Sequence, residues 1–450
     1  MSWRSALTPT RMERVALVAP SDRVRSMLDA IARHGGVELA LPTGPAETAA
    51  DAFSLAERSA VVFGPVAGFV GWTPSPRLPE LMAGLAPIGA AVVPIARPRG
   101  EQPPTLLSGP RRPTARRVLV DTYGVVPYDD VDPSWIAAAS YVLMFGVMFG
   151  DVGQGTVLAL VGVAVIAGWI PPLRRYRQLG GFIAAAGIAA AVFGLLYGEF
   201  FGPTGIVPTL WINPLEQPIE LMVVGILIGA GLLGVSLVVG TVNRVREGGW
   251  AYALYSRTGI AGILLYVAVA LVAGGVYFDI VVLDIAAAVA GLLALAAIFV
   301  GLYIDSGGGG LGVMQAAIEL VDTVVRLGSN LISFARLAAF GLMHAALMAV
   351  VWQGTSALWH ADWRAPLAIL LFLVGNAIAF GLELLVAGIQ ALRLEYYELF
   401  SRIFLGEGRA FRPWAPALPR SESDDQTGIA TSTATDVTDT EPTIPEGAAP

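Results

Sequence analysis

Residues 313–352 read VMQAAIELVDTVVRLGSNLISFARLAAFGLMHAALMAVVW. The run holds no proline and is about twice the roughly 20 apolar residues that a bilayer crossing needs. Among its polar members are Glu319, Asp322, Arg326, Ser329, Asn330, Ser333, Arg336 and His344. At about 100° per residue these fall within about one third of a helix circumference. The opposite face, with Leu331, Phe334, Leu342 and Ala345, is apolar. Ionisable groups inside a span are costly and normally face a bundle interior or a wet cavity. The stretch therefore predicts a membrane helix with one polar, working face.

Residues 364–402 repeat the arrangement. Asn376, Glu383 and Gln390 are seven apart and nearly superpose on one face, with Arg393 further along. If the two helices run antiparallel and Arg336 and Arg393 share a level, a rise of about 1.5 Å per residue puts His344 and Glu383 at a common level too, roughly 12–15 Å away. Glu319 and Asp322 then lie on the other side of the arginines. Guanidinium does not release its proton at any accessible pH. It cannot relay a proton, but it can block a leak and depress the pKa of a carboxylate brought beside it. The carboxylates and His344 can exchange protons with water. Arg336 is expected to meet a carboxylate that this polypeptide does not supply.

The rest of the chain fits lipid as its solvent. It is 55% hydrophobic and 14% charged, against roughly 25% charged in a soluble domain. Apolar stretches predict spans near 134–150, 154–172, 179–200, 218–241, 257–277, 280–304, 313–352 and 364–402. The fold class is mainly α: an eight-span transmembrane bundle with two long, tilted C-terminal helices and a small N-terminal α+β cytoplasmic domain. Arginines set the orientation. Arg111, Arg112, Arg116, Arg117, Arg174, Arg175, Arg177, Arg244, Arg246, Arg257, Arg402, Arg409 and Arg412 all flank one side. The alternate connections near 151–153, 202–217 and 277–280 carry no basic residue, and only Arg364 lies on that side. A multi-pass cell-membrane protein with both termini cytoplasmic is expected.

Residues 1–130 read as a reduced soluble domain with a Pro- and Arg-rich linker over 97–117. An apolar run ends at Pro20, a helix capped by Ser21 or Asp22 extends to about His34, and Val37–Leu41 forms a strand. Leu78–Leu85 is helix-like and Ala90–Ile95 a further strand. Residues 1–30 hold five arginines and no uninterrupted apolar core, so they do not form a signal peptide. Residues 131–412 form the membrane domain. Residues 413–450 are rich in Ser, Thr, Pro and acids and are expected to be disordered. Seven acids and no base in 421–450 account for the net charge of −7, so the acidity describes a tail and not a partner surface. No nucleic-acid partner, cofactor or metal is expected, and the absence of cysteine excludes thiolate sites.

Several of these groups also have plain structural readings. His344 alone can be a packed, hydrogen-bonded group. Arg326, Asp322 and Glu319 can be headgroup-level charges on an overlong helix. Ser and Asn in spans often only join helices. Two glycine-rich stretches, FGVMFGDVGQG at 145–155 and FGLLYGEFFG at 193–202, allow close helix contact. Asp151 and Glu199 end these stretches. They either line an outer aqueous entrance with His344 and Glu383 or meet water at the membrane surface, the simpler reading for Glu199.

Together with SNLISFARLAAFGLMHAAL at 329–347, LELLVAGIQALRLEYYELFSRIFLGEGRAFRPW at 382–414 and MERVALVAPSDRVRSMLDAIARHGGVEL at 12–39, these stretches resemble the large membrane subunit of V-type and A-type rotary ATPases, subunit a or subunit I. The resemblance covers nearly the whole chain in order. It implies a non-catalytic stator subunit that holds two half-channels against a rotating proteolipid c-ring, with central and peripheral stalk subunits and lipid as further partners. It implies that Arg336 is the essential arginine and Arg393 the second arginine beside it. Glu383, His344 and Asp151 then match outer half-channel positions, and Asp322 the cytoplasmic one. Glu319, Ser329, Ser333, Gln390, Asn376 and Glu199 are further channel-lining candidates. A histidine usual in the family's first glycine motif is Gln154 here. No sustained heptad pattern occurs between 42 and 117, so the coiled-coil arm usual in the family is absent or very short in this sequence. With no lysine, the chain carries no GxxxxGK[ST] loop. Rival readings are a stand-alone secondary transporter with an intramembrane ion pair, which would need an internal repeat, and a scaffold that lost coupling.

Overall fold

The computed structural model describes residues 8–41, 48–98, 101–107, 119–120, 122–359, 365–404 and 408–416. The expected disordered tail beyond 416 lies outside them, as do Arg111, Arg112, Arg116, Arg117 and Arg364. The described residues are mainly helical and divide into two compact units, one built on residues 11–101 with 412–416, the other on 102–411 with 8–10.

The smaller unit is an antiparallel sheet with helices. Its strands are β1 (Met12–Pro20), β2 (Glu38–Leu39), β3 (Val61–Phe63), β4 (Val66–Pro74) and β5 (Ala91–Pro94), in the order β2-β4-β1-β5 with β3 also on β4. Helix α1 (Val24–His34) follows β1, α2 (Ala49–Arg58) precedes β3, and α3 (Leu78–Leu85) precedes β5. Val15, Leu17 and Ala19 alternate inward from β1, and Val24, Met27, Leu28 and Ile31 line the inner face of α1, as periods of two and 3.6 require. The expected strand at 37–41 is reduced to two residues. Helix α2, absent from the expected elements, starts at a capping box in which Thr48 and Asp51 bond each other's backbone. The segment after Arg412 also belongs to this unit. Trp414 N–H donates to Val37 O at 2.7 Å, and its ring stands edge-on to Phe53 at 5.1 Å.

The larger unit is helical: α4 (Ser134–Met148), α5 (Val152–Ala167), α6 (Arg177–Tyr197), α7 (Pro218–Tyr255), α8 (Ile260–Phe278), α9 (Val281–Asp305), α10 (Gly309–Ser333), α11 (Ala335–Leu358) and α12 (Ala365–Leu394). A π-helical turn over Glu395–Phe400 continues α12, followed by α13 (Ser401–Ile403). Among the described residues, six segments are long and apolar enough to cross a membrane: 171–197, 218–255, 260–278, 281–305, 309–358 and 365–403. Helices α4 and α5 are apolar but shorter.

Two departures from ideal helices matter for the site. The expected continuous helix 313–352 breaks at Phe334, between α10 and α11. No proline or glycine marks the break; the fully buried Phe334 ring seats against Gly229 of α7, where an added Cβ would lie 2.0 Å from Phe334 Cγ. The π turn after α12 shifts the helical phase; Glu395, Glu398 and Arg402, on and after it, are buried.

Candidate ion-translocation site

The site is built by α11 and α12, which pack side by side, and by the loops after α4 and α6. His344 on α11 bonds Glu383 on α12 through its Nδ1. The common level inferred from residue rise is thus a direct contact. His344 Nε2 lies 3.7 Å from Glu199 Oε2. Asp151 completes the cluster, with one ligand atom from each of Asp151, Glu199 and His344 within 4.8 Å of the others. All four groups are buried, Glu199 at 3% exposure; that goes against the reading in which Glu199 meets water at the membrane surface. Phe149 closes one side, its ring 5.3 Å from the imidazole.

Asp151 is held by backbone. As N-cap of α5 it accepts N–H bonds from Gln154 at 2.8 Å, Phe201 at 3.0 Å and Gly202 at 2.9 Å. Val152 N–H donates to Glu199 O at 3.0 Å. The turn after α4 is thereby tied to the turn after α6, and both carboxylates sit at defined positions. The glycines of the two quoted motifs make this approach sterically available: a Cβ at Gly194 would lie 2.3 Å from Val152 N, and one at Gly155 2.5 Å from Ala191 N. Gln154 Nε2 donates to Asn376 Oδ1 at 3.4 Å and to Met348 Sδ at 3.2 Å.

About two to three turns away are the arginines. Arg336 Nη2 lies 3.9 Å from Glu398 Oε1, with 20% of the Arg336 side chain exposed. That distance is an ion pair and not a hydrogen bond, and Arg336 Nη1 has no hydrogen-bond partner among the described residues. The chain therefore supplies one carboxylate at the rim, contrary to expectation, and leaves the guanidinium incompletely satisfied. Arg393 is exposed, and it and Arg336 both act electrostatically on Glu398, beside Ser333. Gln390 Oε1 is buried without a partner. Glu395, one turn on, accepts from Ser140 of α4 at 2.6 Å.

On the far side of the arginines lies a polar cavity of about 490 Å³, lined by Asp322, Arg326, Asn330, Arg257, Tyr397 and Arg402 among others. Asp322 and Arg326 form an exposed ion pair at 2.6 Å. Glu319, half-buried and bonded by Gln315 at 3.1 Å, lines a neighbouring cavity. Ser329 is exposed beside this group.

The structure thus gathers His344, Glu383, Glu199 and Asp151 into one buried cluster, Arg336 and Arg393 into a second group with Glu398, and Asp322 into a third. Residue reading missed Glu398, Glu395 and Arg402. The charged string Glu395-Tyr396-Tyr397-Glu398 at the end of a span was the available signal, and at about 100° per residue Glu398 falls about 60° from Glu383, on the same face.

Comparison with known proteins gives two findings. The profile described as the V-type ATPase 116kDa subunit family matches residues 70–206. Proteins named A-type ATP synthase subunit I are similar over most of the chain. That of Pyrococcus horikoshii is 24% identical over 375 residues, 80% of this chain and 55% of its own length. That of Methanocaldococcus jannaschii is 27% identical, over 72% of this chain and 51% of its own length, and that of Aeropyrum pernix 28% identical, over 66% and 49%. The chain spans about half the length of the curated relatives it matches.

Proposed function

We propose that the chain, similar over most of its length to proteins named A-type ATP synthase subunit I, belongs to the V-type and A-type ATPase subunit a (subunit I) family and is the ion-translocating stator subunit of a rotary ATPase. In this reading it crosses the cell membrane eight times, α4 and α5 included, with both termini cytoplasmic. Asp151, Glu199, His344 and Glu383 carry the outer half-channel. The cavity at Asp322 opens the cytoplasmic one, with Glu319, Ser329 and Ser333 on its path. Asn376 and Gln390 line the α12 side. Arg336, seconded by Arg393, meets the carboxylate of a proteolipid c-ring between them.

The observation that carries the reading is the half-met Arg336. Its Nη1 lacks an acceptor, and next to it and to exposed Arg393 stand the exposed apolar residues Ile332 and Ile389. A cation on a lipid-facing surface costs about 2.5–3.5 kcal/mol even on insertion scales, so a partner with a carboxylate fits that face better than lipid. A carboxylate arriving there protonated loses its proton beside guanidinium. It regains one from the buried acids and His344 on one side or releases it to the cavity on the other. The chain moves no phosphoryl group itself; its work is positional and electrostatic. Central- and peripheral-stalk subunits would be further partners.

The test is Arg336→Gln in the complex reconstituted into vesicles. ATP-driven acidification is expected to fall to the rate of the ATP-free control while ATP hydrolysis by the assembled complex persists. Acidification at the wild-type rate overturns the proposal.

A further inference from the structure

The buried cluster has a lone-pair problem that points to a second occupant. A neutral imidazole carries one N–H. Given to Glu383 through Nδ1, it leaves a lone pair on His344 Nε2, which has no hydrogen-bond partner. Facing it at 3.7 Å is Glu199 Oε2, another acceptor that also lacks a partner. An Asp151 oxygen joins them, the three ligand atoms lying within 4.8 Å of one another. Exposures are 0% for Asp151, 3% for Glu199 and 2% for His344. Acceptors converging out of water repel unless a cation stands between them.

The Nε2–Oε2 spacing is too long for a hydrogen bond. A hydrogen bond from Nε2 would draw the pair to about 2.7–3.2 Å. Ligands about 2.0–2.1 Å from a tetrahedral ion stand roughly 3.3–3.4 Å apart, closer to the separation found. One imidazole and two carboxylates balance a divalent charge. Calcium and magnesium prefer six or more oxygens, whereas a His-and-two-carboxylate set with an open fourth position suits zinc. Glu383 on Nδ1 supplies the carboxylate–histidine–metal arrangement that fixes the ring and raises its basicity. The three backbone N–H bonds to Asp151 hold that ligand in place beforehand.

We propose that Asp151, Glu199 and His344 form a binding site for a divalent transition metal ion of the zinc type, with Glu383 orienting the imidazole. Bound there, the ion occupies the lone pairs that would otherwise accept a proton. That this would stop transport rests on the function proposed above; the binding itself does not.

The experiment uses the full chain, purified with whatever subunits accompany it, carrying a tag without histidine and stripped by chelator. Cobalt(II) is titrated first as a spectroscopic probe and zinc second as competitor. One equivalent of cobalt with the intense visible bands of four-coordinate geometry is expected, bleached by one equivalent of zinc. Glu199→Gln and His344→Ala each weaken binding at least tenfold. Glu383→Gln keeps one equivalent but loses about 10–100-fold in affinity, the effect of a missing outer carboxylate, and Glu57→Gln, in the smaller unit, changes nothing. Absence of stoichiometric cobalt on the wild-type chain overturns the proposal without reference to any variant's folding. So does unaltered binding in Glu199→Gln. Neither result touches the acidification assay of Arg336→Gln, and failure of that assay leaves the metal titration standing.

Discussion

Asp151 and Glu199 are both buried acids of one cluster, yet the structure gives them different burdens. Asp151 accepts three backbone N–H bonds, whereas Glu199 Oε2 accepts none. Removing an acceptor from a buried donor costs about 1–3 kcal/mol. Asp151→Ala should therefore lower the thermal midpoint of the purified protein clearly, and Glu199→Gln, which deletes a charge but no backbone bond, much less. A Glu199→Gln midpoint as low as that of Asp151→Ala would contradict this division. At this scale the sequence was legible wherever helical spacing held. Counting residues from the arginines brought His344 and Glu383 to one level, and they touch. It was illegible where a loop returns, because nothing local to Glu199 says that its turn folds onto the cap of α5. It was left unread past Arg393, where Glu398, about 60° from Glu383 at ordinary helical phase, stands 3.9 Å from Arg336.

Among the elements, α5 and α6 pack through glycine. A Cβ at Gly187 would lie 2.3 Å from Ala159 N, a backbone atom that cannot swing aside, while one at Gly181 on the same helix meets nothing within 4 Å. Gly187→Ala should destabilise by about 1–3 kcal/mol through overpacking. Gly181→Ala should stabilise by up to about 1 kcal/mol through helix propensity. Melting of the two variants side by side checks the pair, and equal shifts would contradict the close α5–α6 contact. Small residues four apart announce such contacts in sequence. The break at Phe334 does not announce itself, because its cause is the seat at Gly229, more than a hundred residues away in the chain. The case of α2 differs: the capping signal at Thr48 and Asp51 and the alanines after it were present in the sequence and went unread.

Across the whole molecule, orientation and pH response are the accessible properties. The chain has no native cysteine, so single cysteines report topology directly. Glu216→Cys should react with an impermeant maleimide on intact cells and Arg174→Cys only after permeabilisation; the reverse pattern would invert the arginine-based assignment. Just before α4, burial first and the neighbouring Glu247 second push the Asp130 carboxyl up to about 8 from an ordinary 3.8. The native state then binds a proton that the unfolded chain gives up, so this group's contribution is full below about pH 4 and is lost as pH rises through about 8. The thermal midpoint should fall over that window, and Asp130→Asn should flatten the slope. The long apolar helices and the small N-terminal α+β unit were readable from composition and period. The six long helices and two short ones follow those stretches, while the packing of Trp414 onto the smaller unit is a tertiary event hidden in a segment of low complexity. The central claim is that the Arg336–Arg393 face meets another membrane chain. The most direct measurement places a benzophenone on Ile389→Cys, one turn from Arg393, in membranes of the native host, and identifies the photo-adduct by mass spectrometry. The account predicts a covalent adduct with a small proteolipid bearing a mid-helix carboxylate; adducts with lipid alone would contradict it.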